Sequence, residues 1–579
     1  MGATGSLKFE VELTTGVWTD ITADTDAASG LSFGYGINGN KPLDSIAGVG
    51  TLEFALNNWQ TAAGRPEGYY SPNHASVRSG WTFGKVFRLV AATGSTAAVT
   101  SITESAGTAT VTTAAPHGRS TGDYVTIADA VETDYNGTFQ ITVTGASTFT
   151  YVVANSPSSP ATGTITVIRS ALKFYGKIDT ILPIAGQSKE KRVLVTVNDT
   201  IADVLEADVR ELDLQINKTE AECLTAILDS LPSSAQPPAR DFDTGVDTFP
   251  WAFDDLGSGV KGLALVKDAV QSALGMYFAK GDGTHAYRSR TSRATGSSVF
   301  TFADSMHGLN VPSGLDGVFN RVGVTVNKKV VSANPDEELY TLPTGAFIEV
   351  TDGGTVKLFT DYTDPNDRQT SIGGSEVVTT LVAGTHFQAF ANSDGTGSDL
   401  SASMTPTLAD FGSSAKWTFV NAAGQTAYVT LQKVIGKAVR NPGPQRAESY
   451  VAKGYGDRPL EINLRYQDDL EIGQSAATYT RSQNDSLSHQ MESLMFIAND
   501  SQAFMGEAVY REIGDRITVT EQVTGLALVD AIIQRVEWKV SAGPWIECTF
   551  GLAPASTLAF WLWGVVGQSE WGETTYYGF

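Results

Sequence analysis

Lys85-Val-Phe-Arg-Leu-Val-Ala91 and Ala171-Leu-Lys-Phe-Tyr-Gly-Lys-Ile-Asp179 are the two stretches on which the fold turns. Each mixes β-branched and aromatic residues with polar ones, as half-buried strands do. The strand ending near Ala92 and the one starting near Ala171 read as hairpin partners, yet about 75 residues separate them, against the two to five of an ordinary hairpin loop. The intervening chain predicts strands of its own at 108–113, 124–127, 138–143, 148–153 and 164–168, punctuated by turns such as Tyr135-Asn-Gly137. It reads as a small β-barrel or sandwich inserted at a hairpin tip, where insertion disturbs least.

Outward from this pair, Leu7, Phe9, Val11 and Leu13 alternate with Lys8, Glu10 and Glu12, and Leu52, Phe54 and Leu56 repeat the period of two. Further strands are predicted at 192–197 and 323–327. Thr219-Glu-Ala-Glu222 is a capping box opening an amphipathic helix over 223–231, stopped by Pro232. A second helix over 263–274 is expected to bury Leu263, Val266, Val270 and Leu274 and to close at Gly275. The hairpin 276–279 and 285–287 turns at Gly281-Asp-Gly283. Residues 332–437 are helix-poor and rich in Gly, Thr, Ser and Asp, and read as a second inserted, sandwich-like module. From Tyr450 the mix of strands and helices resumes, with helices expected at 469–482 and 501–510 and strands at 491–497, 516–520, 531–540 and 546–552.

The 579 residues carry 40 basic against 63 acidic side chains, a formal net charge of −23, which repels polyanions because phosphate binding needs clustered Lys and Arg. Fourteen of the acids lie between Asp199 and Asp255. A solvated acidic face is the plain reading of such a run; the sharper one is a wall past which something anionic slides without sticking. Two cysteines, Cys223 and Cys548, are too few for a disulfide framework, and both fall on apolar stripes as buried small hydrophobes. Met1-Gly-Ala-Thr-Gly-Ser6 has neither a basic nor an apolar region of a signal peptide, and its formal match to a myristoylation motif reads as chance. The longest apolar run, 558–566, is far short of the ~20 residues a membrane helix needs. No stable membrane insertion is expected.

Catalytic patterns are missing from the sequence. The six histidines (His74, His117, His285, His307, His386 and His489) show no metal-ligand spacing, and there is no HExxH, CxxC, phosphate loop or GxSxG elbow. Paired carboxylates leave no local signature, but 63 acids on an acidic protein need no catalytic explanation. The Asp-rich turn 392–399 lacks EF-hand spacing and is explained by turn chemistry. No cofactor, metal or catalytic residue is predicted. One feature resists the plain reading: Phe560, Trp561, Trp563, Trp571, Tyr576, Tyr577 and Phe579 crowd the last twenty residues. Such aromatics either pack on their own domain or form an arm that docks on a partner.

Trp18-Thr-Asp-Ile-Thr22, Gly50-Thr-Leu-Glu-Phe-Ala-Leu-Asn57, Gly68-Tyr-Tyr-Ser-Pro-Asn73, Gly84-Lys-Val-Phe-Arg88 and Phe174-Tyr-Gly-Lys-Ile-Asp179 together resemble the N-terminal block of bacteriophage minor tail proteins of the tail-hub (baseplate hub-like) group. Val318-Phe-Asn-Arg-Val322, Tyr466-Gln-Asp-Asp469, Ile513-Gly-Asp-Arg-Ile517 and Val536-Glu-Trp538 resemble later parts of the same proteins. Pro116-His-Gly118, Gly122-Asp-Tyr-Val125 and Tyr135-Asn-Gly-Thr-Phe139 look like a small β module that recurs in phage structural proteins.

The resemblance implies a β-rich α+β multi-domain chain. A first hub β-barrel is expected at 1–95 plus 170–205, a small inserted β-barrel at 96–169 and an α+β hub domain at 206–330. An inserted β-sandwich-like module at 331–440, a second hub β-barrel/α+β domain at 441–555 and the aromatic arm at 556–579 complete the division. It also implies a homotrimer at the tail tip of a virion, assembled in the bacterial cytoplasm. That trimer would bridge the distal tail protein to tip or fibre proteins, enclose the tape measure protein, and pass phage DNA through its lumen without specific binding. The alternative is a receptor-binding protein whose inserts recognise a cell-surface glycan through exposed aromatics such as Tyr135 or Tyr362.

Overall fold

In the computed structural model, which describes residues 5–59, 65–185, 191–256, 259–303, 306–312, 314–485, 491–541 and 545–555, and the backbone of 559–561 and 575–577, two strands dominate the first half. Val86–Ser105 and Gly163–Ile184 pair antiparallel both in the host sheet (Ala91 opposite Ala171) and in the insert (Ala98 opposite Thr166). The insert is therefore a continuation of two host strands. Thr108–Thr113, Tyr124–Ala130, Gly137–Gln140, Thr142–Gly145 and Thr148–Val152 complete it, wrapped on Ile102, Val111, Val125, Phe149 and Val167.

On one side of this pair lie Gly5–Thr14 and then the edge strand Val17–Asp20; on the other, Arg192–Asp199, Gly48–Asn57 and Leu31–Gly36. The sheet does not stop there. Leu31–Gly36 pairs antiparallel with Leu526–Ser541, which leads on to Trp545–Pro554, Ser493–Ile497 and Gly308–Asn310. The first part of Leu526–Ser541 also pairs with Arg516–Glu521, which carries Thr301–Phe302 in parallel. Two halves distant in sequence thus meet edge to edge in one sheet instead of each closing on itself as a separate barrel. Alternation sets the register: Leu31, Phe33 and Tyr35 face a common core with Phe9, Phe54, Phe174 and Trp538, and Phe33 stacks on Trp538 at 5.4 Å between ring centres. Each such side chain contributes roughly 1.5–3 kcal/mol by leaving water.

The middle segment forms its own core under helices Ile201–Glu206, Glu220–Ser230 and Gly262–Ser272. Thr219 caps the second of these reciprocally with Glu222. The third helix ends at Ser272, with Leu274 just beyond it in the left-handed region at φ +53°; Gly275 does not take that conformation. Glycine is needed at 275 because a Cβ there would run into the Tyr287 ring. Arg321–Asn327 is flanked by Pro444–Tyr450 (antiparallel) and Pro459–Leu464 (parallel), and helix Leu470–Asn484 packs on that small sheet through Ala476 and Ala477. Between 327 and 444 lies a further β unit centred on Trp417, Phe419, Tyr362 and Phe387, so this segment too leaves from between two paired strands. Strands occupy 49% of residues and helices 13%, which makes the chain a β-rich α+β protein of several sheets.

Gly176 shows how tightly the first half is closed. A Cβ at this position would collide with the carbonyl oxygen of Asn198 on the neighbouring strand. Gly176→Ala is expected to lower the unfolding free energy by about 1–3 kcal/mol through overpacking. A urea midpoint unchanged from the parent would contradict that.

Candidate assembly surface

Between the large inward side chains of the join stand short residues. In Leu31–Gly36, Ser32 points outward, and Gly34 and Gly36 leave the backbones free to approach. Gly36 sits at φ +119°, where a Cβ would strike the Gln534 carbonyl oxygen, so no other residue fits easily. Behind the join, three segments are tied by charge. Lys173 Nζ, fully buried, donates to Glu512 at 3.1 Å and to the Arg511 carbonyl at 2.9 Å. Tyr35 Oη donates to both Glu512 oxygens at 3.0 Å, and the Gly281 N–H reaches the same carboxylate at 3.3 Å. Burial and the adjacent Glu512 charge push the Tyr35 phenol well above its ordinary pKa, so it stays a donor. One carboxylate from the C-terminal half thereby grips the first half and the middle hairpin together.

The outer face of the join carries two hollows of about 440 and 540 Å³, which share Ser32, Glu53 and Lys539. Serine, threonine and glycine line much of the first, with Glu53, Glu537 and Glu547 set against Arg535 and Lys539. The charges there are mixed. Among the described residues no group of three or more His, Cys, Asp or Glu could hold a metal ion, and no helix is long and apolar enough to cross a membrane.

The acidic run from Asp199 to Asp255 divides: Glu206, Asp208, Glu211, Asp213, Glu222, Asp229 and Asp255 are exposed, while Asp199, Glu220, Asp247 and Asp254 are buried and brace the fold. Asp247 holds Arg290 through two bonds, Asp254 pairs with Lys329 in a buried contact, and Asp241 takes both Lys280 and Arg288. Buried Glu220 accepts from the N–H groups of Val246 and Asp247 and from Tyr287 Oη. Asp203, Asp208, Glu211, Asp229 and Asp255 pair with Lys177, Lys261, Lys416, Arg240 and Arg465. The run is thus an exposed acidic face threaded with ion pairs, several of whose cations come from other segments. Tyr135 and Tyr362 are core residues, each fully buried, and present no ring to a glycan.

Of the terminal aromatics, Phe560 lies opposite Tyr576 and Trp561 opposite Tyr577 in the parallel pair Ala559–Trp561 and Thr575–Tyr577. Trp563, Trp571 and Phe579 lie outside the described residues. Cys223 and Cys548 are both buried, and burial pushes the Cys223 thiol up to about 12. His285 is buried between Tyr277 and Thr200, and burial lowers it to about 3, so it stays neutral. Lys173 and Glu512 carry no mark in the sequence that singles them out as a joint. The available signal was a lysine between Leu172 and Phe174 in a strand whose neighbours are buried on both faces.

No family model matches the chain, and no curated protein matches it. Among solved structures the chain is similar to the 43 kDa tail protein of prophage MuSo2 from Shewanella oneidensis, with 9% identity over 95% of this chain and 99% of that one and a TM-score of 0.43. It is similar to the tail protein from Neisseria meningitidis MC58, at 7% identity, 95% and 96% coverage and a TM-score of 0.43. It is also similar to prophage tail protein gp18 from Listeria monocytogenes EGD-e, at 7% identity, 94% of each chain and a TM-score of 0.37.

Proposed function

We propose that this chain is a structural subunit of a phage tail, and within the tail a hub at its distal end. The observation that carries this reading is the join: two β-rich halves, separated in sequence by the middle unit and the second insert, combine into one sheet through Leu31–Gly36 and Leu526–Ser541. A chain that presents two comparable sheet halves side by side is suited to matching a ring of subunits with fewer chains than the ring has. The tail-hub motifs fall on both halves, with Gly50–Asn57 and Phe174–Asp179 in the first and Ile513–Ile517 and Val536–Trp538 in the second.

On this reading the subunit works by geometry. Three copies form a ring between the distal tail protein and the tip or fibre proteins, around the end of the tape measure protein, and DNA leaves through the ring without binding to it. The net charge of −23 supports passage without adhesion, since a polyanion gains nothing from such a chain. The terminal aromatic arm is proposed to dock on a neighbouring subunit. Light scattering on the full chain is expected to give three times the chain mass, and the trimer is expected to be retained by tail-tube protein. A protein that stays single and binds host cells directly would replace this reading with the adhesin one, and clearing in a cell-wall zymogram would overturn the non-enzymatic role.

A further inference from the structure

The two long strands that carry the first insert are not evenly paired from host to module. Ala92 lies opposite Ser170 on the host side and Thr96 opposite Ile168 on the module side, so Thr93, Gly94 and Ser95 stand against Arg169 alone. Extra residues on one strand make a bulge, which interrupts the ladder and lets the strand bend. Gly94 is exposed and adds no side chain to stiffen the bend. The pairing of these two strands therefore leaves the angle of the module soft at its neck.

Tyr510 closes that neck from a distant part of the chain. It is the last residue of helix Gln502–Tyr510, in the second half of the host. Its Oη donates to the Arg169 carbonyl at 3.2 Å, and with its one proton so placed it accepts from Thr93 Oγ1 at 3.1 Å. A single phenol thus bonds both strands at the bulge. The Arg169 guanidinium lies over the Tyr510 ring, 4.2 Å from its centre, and its Nη2 reaches Asp123 of the module at 3.3 Å. Contacts therefore run from the second half through Tyr510 and Arg169 into the module. Tyr510 is itself anchored, because the Arg511 carbonyl and the Glu512 carboxylate next to it hold buried Lys173. A second tether leaves the host at Arg88, whose Nη2 donates to the Thr138 carbonyl of the module at 3.1 Å.

We propose that Tyr510 is a latch that fixes the angle of the first insert on its host by bridging both strands at the bulge. A latch at the neck is independent of whether the chain forms a ring. Nitroxide labels on introduced cysteines test it in the full chain, since Cys223 and Cys548 are both buried. One label pair, Val17→Cys with Val152→Cys, spans host and module; another, Val131→Cys with Val152→Cys, lies within the module, and all three positions are exposed. Pulsed spin resonance is expected to give one narrow host-to-module distance in the parent. Tyr510→Ala is expected to widen that distribution about twofold, a tilt limited by the Arg88 tether, while the distance within the module keeps its width. Tyr510→Phe keeps the ring under Arg169 and loses both hydrogen bonds, so its width is expected to fall between the two. A host-to-module distance as narrow in Tyr510→Ala as in the parent would overturn the latch, and so would a parent distribution that is already wide. If Tyr510→Ala widens both distances, the module has lost its fold and Tyr510→Phe decides: widening of the host-to-module distance alone supports the latch, and an unchanged width overturns it.

Discussion

Glu512→Ala is expected to lower the unfolding free energy by about 3–5 kcal/mol, the usual penalty for removing one partner of a buried ion pair. Lys173 is fully buried, and without Glu512 its ammonium keeps only the Arg511 carbonyl among its polar contacts. Tyr35 and the Gly281 N–H lose their acceptor in the same step. The effect should be strongly non-additive: combined with Lys173→Met, the loss is expected to shrink, because the stranded charge is gone. Urea unfolding of the two single variants and the double variant measures this directly. Equal, additive losses would show that the pair does not act as one joint.

The second large effect concerns Asp199, at the end of the strand that leads into the middle unit. Burial raises its carboxyl to about 7, against the pull of backbone N–H groups from Gly50, Ile201 and Ala202. Its ordinary value is 3.8, so below about pH 4 the group is protonated in folded and unfolded chains alike and stability is unaffected. As pH rises from about 4 to about 7, the unfolded chain ionises first and stability falls; above about 7 the loss is constant. Asp199→Asn retains an oxygen to accept the Ile201 N–H, which Asp199 accepts at 3.1 Å. It is expected to match the parent near pH 4 and to exceed it by roughly 2–4 kcal/mol at pH 8. A difference between the two proteins that does not vary with pH would rule this out.

What could be read from the sequence was local. The alternation of Leu7, Phe9 and Val11, the Thr219–Glu222 box and the Asp469 and Ser501 helix starts all record contacts within a few residues, and the structure places strands and helices there. The displaced partner of Lys85–Ala91 could also be read, because a strand without a neighbour must find one. The join between Phe33 and Trp538 could not: each strand is an ordinary alternating stretch, and nothing in either names the other. The acidic run could be read as a charged face, but its partners could not, because cations such as Arg290, Lys329, Lys416 and Arg465 come from elsewhere in the chain. Tyr135 and Tyr362 misled, since a tyrosine amid turns looks exposed until its sheet folds over it.

The shared strands Val86–Ser105 and Gly163–Ile184 also set how the protein would carry a mechanical load. A module hung on a loop would swing, and a pull on it would peel its anchor open one bond at a time. Here a pull along the two strands loads their ladders with Gly5–Thr14 and Arg192–Asp199 in shear, so many hydrogen bonds resist together. A sideways push on the module becomes a torque on the host sheet. The module is rooted in the sheet through both of its strands.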